Sequence, residues 1–97
     1  MAVLSEEQIQ SELSHLSGWE RRGSKITKSY KLSSFSQAIG FVNELARIAE
    51  AEQHHPDICI SYDTVILTLT TFDEGEKLTD YDFTSARSAD EAYTKFA

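Results

Sequence analysis

The stretch Ile58-Cys59-Ile60-Ser61-Tyr62-Asp63-Thr64-Val65-Ile66-Leu67-Thr68-Leu69-Thr70-Thr71-Phe72 reads as two extended runs, 58–62 and 65–72, joined at Asp63-Thr64. The second run is the strongest strand signal in the chain. Val65, Leu67 and Leu69 fall on one face and Ile66, Thr68 and Thr70 on the other, as a pleated strand requires. A second pair of extended runs, 19–22 and 25–32, stands upstream around Gly23-Ser24. Glycine accepts the positive φ of a tight two-residue hairpin there. Ile26, Tyr30 and Leu32 share one face of this pair, although Lys28 interrupts the alternation.

Between the two hairpins lies the longest periodic segment, 34–53. Phe35, Ala38, Ile39, Val42, Leu45, Ala46 and Ala49 recur at helical spacing and predict a core-facing stripe, widened by Phe41 and Ile48. Gly40 inside this helix costs about 1 kcal/mol relative to alanine, and close approach of another helix is one reason to tolerate it. Pro56 disfavours helical geometry at His55 and ends the segment. At the N-terminal end, Ser5 can cap the Gln8 amide while Gln8 reaches back, and Leu4 can staple onto Ile9. Ile9, Leu13 and Leu16 continue that helix, with Gly18 placed as a stop. Thr79 opens a last helix with Asp82 three residues on, and Phe83, Ala86, Ala89, Tyr93 and Phe96 form its apolar side. The order is α-β-β-α-β-β-α. It predicts an α+β fold, a four-stranded antiparallel sheet with three helices packed on one face.

The 97 residues suit one domain, 1–97, with one core. Hydrophobic residues at 40% and charged residues at 26% describe a globular chain rather than a disordered one. No apolar run approaches the roughly 20 residues of a membrane helix. The start, Met1-Ala2-Val3-Leu4-Ser5-Glu6-Glu7, is acidic and has no long apolar stretch, so no secretory signal is expected and a cytoplasmic location is. The single cysteine, Cys59, cannot form an internal disulfide, which fits a reducing compartment. Sixteen acidic residues against nine basic ones leave a charge of -7, poorly suited to gripping a phosphate backbone. Direct nucleic-acid binding and membrane insertion are thus disfavoured.

Chemistry concentrates in Glu50-Ala51-Glu52-Gln53-His54-His55-Pro56. Glu50 and His54 are four apart and share a helix face, which continues the stripe through Val42 and Ala46. A carboxylate beside a histidine can fix the imidazole tautomer and raise its basicity. The plainer reading is a polar helix end, where cationic histidines meet the negative pole of the dipole. A metal site with Glu50, His54 and His55 as ligands is a third reading, but it lacks a further ligand and zinc spacing, so none is expected. Asp82 has a structural reading as the partner of Thr79 in a capping box. His15 reads as solvated, Trp19 as core or rim, and Cys59 as packed rather than reactive.

Taken together, Glu50-x-x-x-His54-His55-Pro56, Tyr62, Leu67-Thr68-Leu69-Thr70-Thr71, Leu78-Thr79 and Asp82 resemble the pterin-4a-carbinolamine dehydratases. The likeness extends upstream through Trp19 and Tyr30-Lys31-Leu32, and the element order is that family's order too. The resemblance implies a cytosolic hydro-lyase that removes water from a 4a-hydroxytetrahydropterin to give quinonoid dihydropterin, supporting tetrahydrobiopterin recycling. It implies no metal and no organic cofactor. By the same resemblance His54 is the acid/base residue, Glu50 its orienting carboxylate, and His55 a contact to the 4a-hydroxyl. Phe72, Asp82 and Thr71 would line the substrate. A homodimer through strand edges, or a tetramer through helices, is also implied.

One position departs from the pattern. Where the family usually has a further histidine, ten residues after the tyrosine matching Tyr62, this chain has Phe72. Phenylalanine can wall a flat pterin but cannot transfer a proton. The loop 73–77 is also one residue longer than usual and is expected to shift Asp82. Two readings follow: a dehydratase with reduced or rearranged acid/base chemistry, or a family member turned to protein binding as a dimerisation or assembly factor.

Overall fold

The structure, a computed structural model, describes residues 3–96, Glu74 by its backbone alone. Met1 and Ala2, which open the segment read as leaderless, and Ala97 lie outside the described residues. The elements run α1 (Glu6–Ser14), β1 (Glu20–Arg22), β2 (Lys25–Lys31), α2 (Phe35–Glu52), β3 (Asp57–Ser61), β4 (Thr64–Leu69), a short 3-10 turn (Phe72–Glu74) and α3 (Asp80–Tyr93). The two hairpins join into one antiparallel sheet in the order β1-β2-β4-β3. Its central pairing runs from Ile26 opposite Leu69 to Lys31 opposite Thr64. The α+β architecture expected from the sequence is the one observed. No helix among the described residues is long and apolar enough to cross a membrane.

Both outer helices begin where local chemistry directs. Ser5 Oγ accepts the Gln8 amide while Gln8 Oε1 accepts the Ser5 amide, a complete capping box. The helix then stops at Ser14 with His15 as its cap, earlier than Gly18 suggested. Gly18, at φ +83°, instead serves the turn beyond: a Cβ there would meet Lys28 Cε at 3.1 Å.

The helix side of the sheet carries Ile26, Tyr30, Val65, Leu67 and Leu69, all almost fully buried. Against it α2 packs Ala38, Phe41, Leu45 and Ala49, and α3 packs Phe83, Ala86, Ala89 and Ala92. Burying each large apolar side chain contributes roughly 1.5–3 kcal/mol. Phe41 sits in an aromatic cluster with Tyr30, Tyr93 and Phe96, ring centroids 5.0–5.8 Å apart. Gly40 is explained by this cluster, since a Cβ would stand 3.0 Å from Phe96 Cε1. The close approach is by a ring beyond α3, not by a neighbouring helix axis.

Two expectations fail here. Phe35, Ile39 and Ala46 were placed in the buried stripe of α2, yet Phe35 is 51% and Ile39 37% exposed, and Ala46 is exposed too. The apolar arc of α2 is wider than the contact, and the sheet takes the side that carries Phe41 and Leu45. Cys59 was expected to be packed and is exposed. On β3, Ile58 and Ile60 turn toward the helices, which leaves Cys59 on the open face of an edge strand.

The lysine that broke the alternation of β2 has a partner. Lys28 lies on the helix side, where its Nζ donates to Asp90 Oδ1 and to Ser17 O, each at 2.8 Å, and stands 4.9 Å over the Tyr30 ring. The same Asp90 carboxylate accepts Tyr30 Oη at 2.5 Å and Trp19 Nε1 at 3.2 Å. One acidic side chain of α3 thus gathers the donors of both ends of the first hairpin.

Two predictions follow from Asp90. Asp90→Ala leaves a buried phenol and a lysine without their acceptor and should lower unfolding free energy by roughly 2–4 kcal/mol in urea titrations. Burial, then the hydrogen bond to Asp90, pushes the Tyr30 phenol well above its ordinary value. The folded chain therefore keeps a proton that the unfolded chain releases above about pH 10, so stability falls as pH rises past that point. Urea midpoints between pH 9 and 11 should decline less in Tyr30→Phe than in the unmutated protein, about the usual tyrosine pKa.

Candidate active site

The end of α2 determines what its two histidines can reach. Gln53 caps the helix in the left-handed region at φ 53°, and the His54 amide donates to Ala49 O at 3.1 Å. The chain reverses there, so consecutive imidazoles meet different surroundings: His54 is buried and His55 is exposed. Glu52 fastens this corner to α3, accepting Ser85 Oγ at 2.9 Å and Ser88 Oγ at 2.7 Å.

His54 Nε2 donates to Asp82 Oδ1 at 2.6 Å. Asp82 has no exposed surface, and a buried carboxylate needs donors on every side. Its Oδ2 accepts the Thr79 amide at 3.0 Å and Thr71 Oγ1 at 2.8 Å. Thr79 Oγ1, which accepts the Tyr81 amide at 3.2 Å, lies 2.8 Å from Thr71 Oγ1. The capping box read from Thr79 and Asp82 is therefore present, and the same carboxylate also holds His54. Position at the first turn of α3 adds the favourable pole of the helix dipole.

The carboxylate expected to orient His54 pairs elsewhere. Glu50 Oε2 accepts His55 Nε2 at 2.5 Å, with both side chains well exposed. Glu50 continues the line of Val42 and Ala46 as read, but only Val42 on that line packs against the core, and Ala46 and Glu50 are exposed. An exposed pair of this kind contributes at most about 1 kcal/mol, so it orients His55 rather than stabilising the fold.

His54 lies between two hollows. One, of about 160 Å³, is bounded by Gln53, His54, His55, Thr71, Phe72 and Asp73, with Thr70 behind them. The other, of about 270 Å³, is bounded by Glu52, His54, Asp80, Tyr81, Thr84 and Ser85. Phe72 is 60% exposed and heads the 3-10 turn at the rim of the first hollow. Thr71, read as a substrate contact, turns its hydroxyl toward Asp82. Tyr81, not singled out in the sequence, stands edge-on to His54 with ring centroids 5.9 Å apart.

The loop 73–77 is pinned at its base. Thr71 and Lys77 exchange backbone hydrogen bonds at 2.9 and 3.1 Å, which closes the loop on itself before α3 begins. Gly75 and Glu76 turn the chain inside it in the left-handed region. Among the described residues, no group of three or more His, Cys, Asp or Glu side chains is arranged to hold a metal ion. What the site offers is an imidazole anchored by a buried carboxylate, a second imidazole held by a surface one, and an aromatic wall.

The family model described as pterin 4 alpha carbinolamine dehydratase matches residues 2–92. A protein of Sulfurisphaera tokodaii, provisionally named pterin-4-alpha-carbinolamine dehydratase, is 40% identical over 94 residues, 97% of this chain and all of that protein. A protein of the same provisional name from Nostoc sp. is 52% identical over 84% of this chain and 86% of its own length. Among solved structures, one from Brucella Melitensis described as a transcriptional coactivator/pterin dehydratase superposes with a TM-score of 0.89 at 33% identity, covering 94% of this chain and 98% of that one. A pterin dehydratase-like protein described as a RuBisCO assembly factor in the alpha-carboxysome shares the fold at a TM-score of 0.64 and 22% identity, over 80% of this chain and 90% of that one. With one family model spanning nearly the whole chain and a 40% identical relative covered over its full length, the chain belongs to the pterin-4-alpha-carbinolamine dehydratase family.

Proposed function

We propose that this chain is a 4a-hydroxytetrahydropterin dehydratase, eliminating water to give quinonoid dihydropterin and so supporting tetrahydrobiopterin recycling in the cytoplasm. The observation that carries this reading is the buried His54–Asp82 pair at the edge of a hollow that His55 and Phe72 also line. The elimination needs one group to protonate the departing 4a-hydroxyl and another to accept a proton from the pterin ring. Imidazoles titrate near neutrality and suit both tasks. His54 is the acid/base residue, oriented by Asp82. His55, held by Glu50, faces the departing hydroxyl, and Phe72 packs against the flat ring system. Neither a metal nor an organic cofactor takes part, and the chain works as a homodimer or homotetramer. Relatives provisionally named for this activity support the reading.

A second reading, protein binding, is favoured by a different observation. The solvent side of α2 carries Phe35, 51% exposed, and Ile39, 37% exposed, while the related Brucella protein is described as a coactivator as well as a dehydratase. On this reading the chain is a weak or inactive enzyme acting as a dimerisation or assembly factor.

Two measurements separate the readings. Purified protein should accelerate loss of the 4a-hydroxy intermediate above its spontaneous rate, and His54→Ala should reduce that acceleration by roughly 100-fold or more. No acceleration by the unmutated protein overturns the first reading, and a stable complex with a cellular partner that survives His54→Ala would favour the second. Phe72→His should raise kcat by roughly tenfold if the aromatic wall leaves the site short of a proton-transferring group. An unchanged rate would mean that His54 and His55 suffice.

A further inference from the structure

The hydrogen atoms around Asp82 can be assigned one by one. The Thr79 hydroxyl oxygen accepts the Tyr81 amide, so its own proton is free to go to Thr71 Oγ1, 2.8 Å away. Thr71 has a single hydroxyl proton, and the acceptor left for it is Asp82 Oδ2 at 2.8 Å. The Thr79 amide fills the remaining direction at Oδ2. Donation thus runs one way, from Tyr81 N–H through Thr79 and Thr71 into one oxygen of the carboxylate. The other oxygen, Oδ1, has His54 Nε2 at 2.6 Å as its partner among the described residues.

This arrangement has a consequence for the imidazole. A carboxylate oxygen accepts and never donates, so Nε2 of a neutral His54 must carry the ring proton. Nδ1 then carries the lone pair. Among the described residues Nδ1 has no hydrogen-bond partner, and no buried side-chain nitrogen or oxygen lacks one, so Nδ1 is not sealed from solvent, and His54 borders the hollows on either side. Thr71 itself is 2% exposed, and its hydroxyl is spent on Asp82 rather than on a ligand.

We propose that Thr71 is a positioning residue: its hydroxyl locks the Asp82 carboxylate so that His54 is held as the Nε2–H tautomer with Nδ1 as the proton-exchanging atom. This rests on the dehydratase reading for the reaction, but not for the tautomer. Without the Thr71 hydroxyl the carboxylate loses one of the two donors that fix its plane, and Oδ1 is no longer uniquely directed at Nε2. A carboxylate free to turn leaves Nε2 without its acceptor, and the ring proton can then move to Nδ1.

The test reads the tautomer directly, by two-dimensional 15N–1H NMR of the histidine rings in the unmutated protein, Thr71→Val and Thr71→Ser. The neutral His54 ring of the unmutated protein should show the Nε2–H pattern, and an Nδ1–H pattern there overturns the proposal whatever the variants do. Thr71→Val should weaken the Nε2–H signal and lower kcat by roughly tenfold, the effect of losing a group that orients a working imidazole, with KM changed by less than about twofold. Thr71→Ser, which keeps the hydroxyl, should restore both. A Thr71→Val protein that is only less heat-stable, with the His54 tautomer and kcat unmoved, overturns the positioning role. If the unmutated protein proves inactive while the tautomer still responds to Thr71→Val, the positioning stands and the reaction assigned to the site falls instead.

Discussion

A carboxylate withdrawn from water has to be met by donors, and Asp82 is met from three directions. Its partners are the end of α2 through His54, the end of β4 through Thr71, and its own helix start through Thr79. These three chain segments are brought to one point because a buried acid with fewer partners would be costly. The fold and the site are therefore not separate achievements. The interaction that starts α3 also orients the imidazole on which the proposed chemistry rests. A loss at any of the three partners is felt at both levels.

The rest of the molecule repeats this arrangement on a second acid of the same helix. Asp90 lies two turns further along α3 and collects Trp19, Lys28 and Tyr30. Asp82 ties α3 to the second hairpin and the long helix, and Asp90 ties it to the first hairpin. Between them the apolar side of α3 lies along the sheet, and the aromatic cluster around Phe41 fills the space at the far end. Two acids of α3 thus act as fastenings to the rest of the fold.

Features governed by near neighbours were legible in the sequence. Both capping boxes, the alternation of Val65, Leu67 and Leu69, and the arrest of α2 before Pro56 depend on residues within a few positions of each other. What was hidden is long-range. Glu50 and His54 are four apart and looked like a pair, but the partner of His54 is Asp82, 28 positions away. Lys28 looked like an error in a strand because Asp90, 62 positions on, could not be seen beside it. The rotation of α2 was ambiguous for a related reason. Apolar residues occupy more of its circumference than the sheet can cover, and only the aromatic partners of Phe41 decide which part is buried. Thr71 was picked out as a ligand contact by resemblance, whereas the direction of its hydroxyl depends on Thr79 and Asp82 together.

The rung between Thr71 and Lys77 has a meaning for how such a protein can change over time. It closes residues 72–76 into a bight whose two ends are fixed to each other before the chain reaches α3. Inside the bight Gly75 and Glu76 turn in the left-handed region, and the paired ends separate any length added there from the chain that leads to Asp82. The segment that carries Phe72 can therefore drift in length and composition while the anchored imidazole stays in register. Variation in what the rim presents to a ligand or a partner is uncoupled from the machinery beneath it.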